Sequence, residues 1–429
     1  LRRRLDKSRR FSISFRHAHL TASTSILSPF RYRMFGLMWG AMVISNIGNW
    51  MHEIAAGWMM VEMTSSPLLV SLIQTASTLP VLLLTAFAGA IGDRIDRRKL
   101  LLSLQIFLSG VAVALALLVW FDALTPFLLL VCTFGLGIGF ALAAPARQAI
   151  FPSLVPRSHL TAAIALNSIG FNSARAIGPA IGGVILSALG ASAAFLFNAL
   201  SYLVVAVVLQ RWKYEQPARH DDGKGVWAST VEGIQYSWAT PSLRACVLRA
   251  IGYYLFGCII WGLLPLITKD LLDGDAHNYG LYVACIGIGA IGGGFLLPRL
   301  REALGFERLL VAGTILSALC IAALGFRPPA WSAWVLFAAF GWAWVSILSS
   351  LNTSVQLIAT ERFRSRVLAF YILVFSGSMG IGAAIWGKVA QLLGLDTAMF
   401  IAAAGLILAL FVLRGQDISE VEAAVTAAE

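Results

Sequence analysis

The chain has 429 residues, 59% of them hydrophobic and only 12% charged, with a mean hydropathy of +0.80. A soluble domain is about 25% charged, so this composition excludes a water-soluble fold and defines a polytopic membrane protein. The net charge of +11 does not require nucleic acid as a partner, because the basic residues fall mostly in alternate loops. Nine Lys/Arg lie in residues 1–35, four in 92–100, two in 147–160, five in 211–244, three in 298–309 and three in 359–366, with Arg414 beyond. The intervening loops hold only Lys269 and Arg327. This positive-inside bias places both termini in the cytoplasm. The five cysteines lie in or near apolar runs without metal-ligand spacing, and read as small buried hydrophobes.

Residues 1–30 are Arg- and Ser-rich with one acid, Asp6. They lack the apolar core of a secretory signal and read as a basic tail, with an organellar transit peptide as the alternative. Twelve apolar runs follow, at about 34–60, 66–91, 100–121, 125–148, 159–188, 192–210, 243–268, 278–297, 308–326, 331–357, 364–393 and 396–414. Each is about the length of a bilayer-spanning helix, and none alternates like a β-barrel strand. The fold class is therefore an all-α polytopic membrane protein with twelve transmembrane helices. The longest polar stretch, 211–242, begins as a loop and continues as an amphipathic helix over Val226–Trp238. It links two six-helix halves, 34–210 and 243–414, flanked by cytoplasmic tails 1–33 and 415–429.

An internal repeat relates the halves. Ile177-Gly178-Pro179-Ala180-Ile181-Gly182-Gly183 recurs as Ile381-Gly382-Ala383-Ala384-Ile385-Trp386-Gly387, five of seven positions identical at an offset of 204. Leu189-Gly190 and Leu393-Gly394 keep that offset. Two joined repeats form a secondary-transporter architecture, with the substrate site near the midplane between them. Spans three, six, nine and twelve are the blandest and suit lipid-facing positions; the others carry polar stripes that face a cavity.

Span one presents Ser45, Asn49, His52 and Glu53 on one helical face. Glu53 lies roughly 25 Å into the membrane at 1.5 Å per residue, a costly depth that marks either function or a span that ends early. Span five presents Ser168, Asn172, Arg175 and Pro179. Arg175 needs an anion or a watery cavity, and Glu53, substrate or backbone carbonyls are the candidates. The helix is expected to bend at Pro179, which leaves the Arg175 carbonyl without its helical partner. Gly178 and Gly182 permit close helix approach. Gln74 and Thr78, Tyr254 and Trp261, and Trp342 with Ser346 and Ser350 are candidates for cavity lining or for packing. Arg147 either faces the cavity or snorkels to the interface, and Lys388 in span eleven is a further cavity candidate.

The turn between spans two and three, Gly89-Ala90-Ile91-Gly92-Asp93-Arg94-Ile95-Asp96-Arg97-Arg98-Lys99, is too charged to enter hydrocarbon. It resembles the loop 2–3 signature of the major facilitator superfamily at Gly89, Asp93, Arg94, Arg97 and Arg98, with Asp96 in place of the usual glycine. A worn copy, Gly294 to Arg299, has Pro298 at the place of Asp93. Gly178-Pro179-x-x-Gly182-Gly183 resembles the span-five motif of drug–proton exporters in that superfamily. Pro145-Ala-Arg147-Gln-Ala, Pro152 to Pro156, Leu166-Asn167-Ser168 and Phe171 to Arg175 resemble its enterobactin-exporter-like, "transmembrane secretion effector" branch. Relatives there often carry Asp where this chain has Asn49, and Glu53, one turn on, is a substitute.

The resemblance implies a bacterial inner-membrane transporter, a monomer that exports small amphipathic molecules such as drugs or siderophores in exchange for protons. It implies no cofactor, with the proton gradient as energy source and the small-molecule substrate and lipid bilayer as partners. Protons entering from outside would change the pairing of Glu53 with Arg175. Asp93 is expected to latch the cytoplasmic side against the N-terminus of span eleven and Arg364 or Arg366, while Arg97, Arg98 and Lys99 set topology. An uncoupled facilitator and a non-transporting sensor on the same scaffold are the alternatives. Enzyme chemistry is unsupported, because no nucleophile–base spacing or phosphate loop is present.

Overall fold

The computed structural model describes residues 25–94, 96–212, 226–361 and 363–414, with all side chains except those of 85–94, 149 and 226–229. The long helices are α1 (Arg33–Met63), α2 (Pro67–Arg94), α3 (Arg97–Trp120), α4 (Pro126–Ser153), α5 (Leu160–Arg211), α6 (Val226–Ala239), α7 (Pro241–Leu266), α8 (Ala276–Gly325), α9 (Ala330–Ile358), α10 (Arg364–Leu393) and α11 (Leu395–Val412). Their starts are written in the sequence. Thr125 caps α4 by accepting from the Leu128 amide at 3.3 Å, with Pro126 next, where no amide is needed. Asp275 does the same for α8 through the Asn278 amide at 2.8 Å. Among the described residues, nine helical segments are long and apolar enough to cross a membrane. α1 is not one of them, since it carries Asn46, Asn49, His52 and Glu53.

α5 and α8 are each about twice a bilayer in length, and each is broken by one glycine. Gly190 has φ 81° and ψ 173°, and Gly305 has φ 76° and ψ 170°. Only glycine adopts that region at low cost. The chain folds back at Gly190: Gly170, Gly178 and Gly182 ascend α1 against Val43, Trp50 and Met51, whereas Phe195 meets His52 and Ser201 meets Gly48 on the way down. α5 keeps helical angles through Pro179 and departs from them only at Gly190, so the expected bend is not where the chain turns. Gly394, offset from Gly190 by 204 positions, has φ 89° and separates α10 from α11. An ideal Cβ on Gly190 or Gly394 would meet nothing within 4 Å. Substitution there is therefore costly through backbone conformation alone. Gly190→Ala and Gly394→Ala are each expected to lose about 1–3 kcal/mol, read as a lowered melting midpoint of the detergent-solubilised protein.

α1–α5 pack among themselves, as do α7–α11, and the two groups meet along two seams, α5 on α8 and α2 on α10. Both seams use the repeated motif. Gly178 lies on Trp50 of α1, and its repeat mate Gly382 lies on Leu255 and Cys258 of α7. Gly183 crosses to the other group, where its Cβ would fall 2.9 Å from the Gly280 Cα; its mate Gly387 crosses to Ser71 and Leu68 of α2. Trp386, in place of Gly182, donates its indole N–H to the Leu255 carbonyl at 2.7 Å. Thr75 reinforces the second seam by donating to the Gly380 carbonyl at 2.7 Å. Small residues suit such seams because apolar side chains gain little by leaving lipid for each other.

The turn before α3 differs in part from expectation. Asp96 is the N-cap of α3, accepting from the Arg98 and Lys99 amides at 2.9 and 3.1 Å. Arg98 does more than set topology: its guanidinium donates to the Leu209 and Gln210 carbonyls at 2.8 and 2.6 Å, closing the end of α5. The Gly89, Asp93 and Arg94 side-chain positions lie outside the described ones. Arg366, one proposed partner of Asp93, pairs with Glu232 of α6 at 2.6 Å, and Tyr236 of α6 stacks on Phe363 at 4.3 Å. The linker helix is thus docked onto the start of α10, with Ile234 and Trp238 left exposed.

Candidate functional site

Between the two groups lies a cavity of about 410 Å³, within the size range of small-molecule sites. Its two walls differ in charge. From the first group come Asn49, His52 and Glu53 of α1, Gln74 and Thr78 of α2, Arg147 of α4 and Arg175 of α5, with the aromatic rings of Trp50, Phe140, Phe171 and Tyr202. From the second come Trp261 of α7, Tyr279 of α8, Trp344 of α9, and Phe375 and Met379 of α10. Every charged lining residue stands on the first wall, and Glu53 is the one acid among the described lining residues.

Several of these groups are fixed by their neighbours. Tyr202, from the second arm of α5, donates its hydroxyl to the Asn49 side-chain oxygen at 2.6 Å, and Asn198 donates to Tyr202 at 3.3 Å. The Arg175 guanidinium sits 6.0 Å from the Trp50 ring and 5.6 Å from the Trp261 ring. Arg147 sits 5.3 Å from the Phe140 ring. Such contacts spread a cation over a π face without neutralising it. The Nε atoms of both arginines are buried with no hydrogen-bond partner among the described residues, as are both ring nitrogens of His52. The expected Glu53–Arg175 pair is not formed: among the described residues no carboxylate lies within 4.0 Å of either Arg147 or Arg175. α1 continues for ten residues beyond Glu53, to Met63, so this acid does not reach the surface by an early helix end.

The cavity is shut toward the end at which α1 finishes. There Trp58 stacks on Tyr279 at 6.2 Å, and Gly57 is wedged against the Tyr279 hydroxyl and Pro265. Lys269 ties the groups together by donating to the Val61 carbonyl at 3.0 Å. The Gly183–Gly280 and Gly387–Ser71 approaches lie toward the same end.

Asn49, His52, Glu53, Gln74, Thr78, Arg147, Arg175 and Trp261 are brought together as cavity lining. Six candidates are not: Asn172, Tyr254, Trp342, Ser346, Ser350 and Lys388. Ser346 is buried and donates to the Trp342 carbonyl at 2.8 Å, and Ser350 is buried and accepts from Arg301 at 3.4 Å. Asn172 is exposed and turns its amide onto the Ser168 carbonyl at 2.8 Å. Tyr254 is buried behind the wall, hydrogen-bonded to the Tyr371 hydroxyl at 2.9 Å and 5.5 Å from Trp344. Trp342 packs on Gly293 of α8 instead of facing inward. Lys388 is exposed beside Gln391, five residues from the end of α10, which is within snorkelling reach of the membrane surface. Sequence reasoning passed over Tyr202 and Trp344. The lone Tyr in a bland span, four residues after Asn198, was the available signal for the first.

A helical membrane protein with two groups of helices around a central polar and aromatic cavity has the build of a transporter. The family model described as "Transmembrane secretion effector" matches residues 24–429, and the chain belongs to that family of major facilitator superfamily transporters. It is 25% identical over 282 residues to the staphyloferrin A transporter of Staphylococcus aureus, covering 66% of this chain and 71% of that protein. It is 26% identical over 368 residues to the multidrug efflux pump Tap of Mycolicibacterium fortuitum, covering 83% and 88% respectively. The fold is similar to a bacterial homologue of the human lysosomal transporter Spinster in an inward-facing, unoccupied conformation, with TM-score 0.71, 17% identity, and coverage of 90% and 96%.

Proposed function

We propose that the chain is a proton-coupled exporter of small amphipathic molecules, working as a monomer by alternating access in the bacterial inner membrane. On this reading twelve spans cross the bilayer: α1 joins the nine long apolar segments, and the breaks at Gly190 and Gly305 divide two of them. They form bundles 34–210 and 243–414, joined by the cytoplasmic linker 211–242 and flanked by cytoplasmic tails 1–33 and 415–429. The basic end of the molecule then faces the cytoplasm, and the cavity is closed to the outside.

One observation carries the proposal: a single acid, Glu53, stands in a cavity shut at one end, with no fixed countercharge. A membrane-embedded carboxylate is costly and marks a proton or substrate path. The names of the relatives, an efflux pump and a siderophore transporter, support small amphipathic cargo. Rocking of the groups about their seams would expose Glu53 to each side in turn. Everted vesicles containing the protein and preset with an acid interior should release protons when an exported substrate is added. Drugs and siderophores form the substrate panel. Substrate equilibration that ignores the pH gradient would assign the chain to uncoupled facilitation instead.

A further inference from the structure

We infer that the cavity takes an amphipathic zwitterion, with its carboxylate on Arg147 and Arg175, its ammonium on Glu53 and its apolar body on the uncharged second wall. This rests on the exporter reading above and adds the substrate class.

The charges on the first wall carry the inference. Arg147 and Arg175 both line the cavity, both have a buried Nε without a partner, and neither has a carboxylate within 4.0 Å among the described residues. A guanidinium offers five N–H donors and binds carboxylates with two at once. Glu53 stands on the same cavity, also without an ion pair. Opposite charges held apart in a partly dehydrated space gain little from each other and leave each other's solvation loss unrepaid. A ligand that bears both charges bridges the gap and satisfies all three groups.

Other ligand classes fit less well. For a simple cation, Arg175 already lies near the Trp50 and Trp261 rings at 6.0 and 5.6 Å, and two fixed positive charges repel it. A simple anion leaves Glu53 unpaired and repels it. A neutral polyol would lose hydration against Trp261, Trp344, Phe375 and Met379 without regaining hydrogen bonds. The zwitterion also explains exchange: its ammonium and a proton compete for Glu53, so that one leaves as the other arrives. The other ionisable groups on the cavity are His52, Tyr202 and Tyr279.

Three compounds with one aromatic body separate these cases: 1-naphthylalanine, 1-naphthylacetate and 2-(1-naphthyl)ethylamine. Their binding to the full chain in lipid nanodiscs is measured by equilibrium dialysis with no gradient present. The zwitterion is expected to bind about tenfold or more tightly than either singly charged analogue, the scale of one charge-assisted hydrogen bond. Glu53→Gln should erase its advantage over the acetate, and Arg175→Gln its advantage over the amine. Arg175→Lys should restore part of the latter, which a merely structural role would not produce. Binding of the zwitterion should weaken on acidification in the wild type and not in Glu53→Gln. Equal binding of acetate and zwitterion, tighter binding of the amine, or an advantage that survives both substitutions overturns the inference. Because no gradient is used, failure of vesicle proton release leaves this binding result standing, and the two readings fail separately.

Discussion

Everted vesicles carrying Glu53→Gln are expected to lose substrate-dependent proton release while still letting substrate equilibrate. Glutamine keeps the shape and hydrogen-bonding reach of the side chain and removes the charge that changes during the cycle. One pH unit across the membrane is worth about 1.4 kcal/mol per exchanged proton, a tenfold substrate ratio. Wild-type vesicles should therefore build a ratio of about ten per pH unit at one proton per molecule, and variant vesicles should settle near unity. The pH dependence has a definite sign. On the proposed exchange Glu53 loads a proton from the outside, so acidifying that side is expected to speed wild-type transport and to leave the variant unchanged. A pH-sensitive dye inside the vesicles together with labelled substrate reads both quantities. Normal proton release in the variant would remove Glu53 from the coupling.

The second large effect lies at the closed end. Gly280→Val should break the α5–α8 seam, because even a single Cβ at Gly280 falls 2.9 Å from the Pro179 carbonyl oxygen and closer still to the Gly183 Cα. These are backbone atoms on a packed helix and cannot swing aside. Overpacking of this kind costs about 1–3 kcal/mol, which in a two-state protein shifts the balance between conformers by about 5- to 150-fold. The shift runs away from the state closed at this end. A cysteine placed by Val61→Cys, buried in that region, should then react about tenfold or more faster with a membrane-impermeant thiol reagent added outside. An unchanged labelling rate would mean that the seam does not control access.

Much of the scaffold was legible because its signals are local. The offset between Leu189-Gly190 and Leu393-Gly394 marks two chain reversals that only glycine permits cheaply. The repeated small residues at Gly178, Gly183, Gly382 and Gly387 marked the helix approaches, although their partners on α1, α7, α8 and α2 could not be read from the string. Side-chain direction was harder. Adjacent helical residues point about 100° apart, so Trp342 and Trp344 face nearly opposite sides, and only the neighbouring helices decide which one lines the cavity. Tyr202 was hidden for the same reason, inside a span made mostly of Leu, Val, Ala and Phe. The Glu232–Arg366 pair joins residues 134 apart across the linker, and no periodicity encodes such a contact. Lys388 was left as a cavity candidate because the direction of its side chain is not written in the sequence; it lies five residues before the end of its helix and is exposed beside Gln391.

Each wall of the cavity is built from one of the two groups that the internal repeat relates. Glu53, Arg147 and Arg175 belong to the first copy; Trp261, Trp344, Phe375 and Met379 belong to the second. A gene that keeps its ionic chemistry in one copy leaves the other free to drift. Codon changes confined to the second copy would reshape the cargo accepted without touching the groups that move charge. Recombination with a paralogue at the linker would do so in a single event. The fit to the apolar body of the cargo is thus heritable apart from Glu53, Arg147 and Arg175, whereas recognition of the cargo's charges stays tied to them.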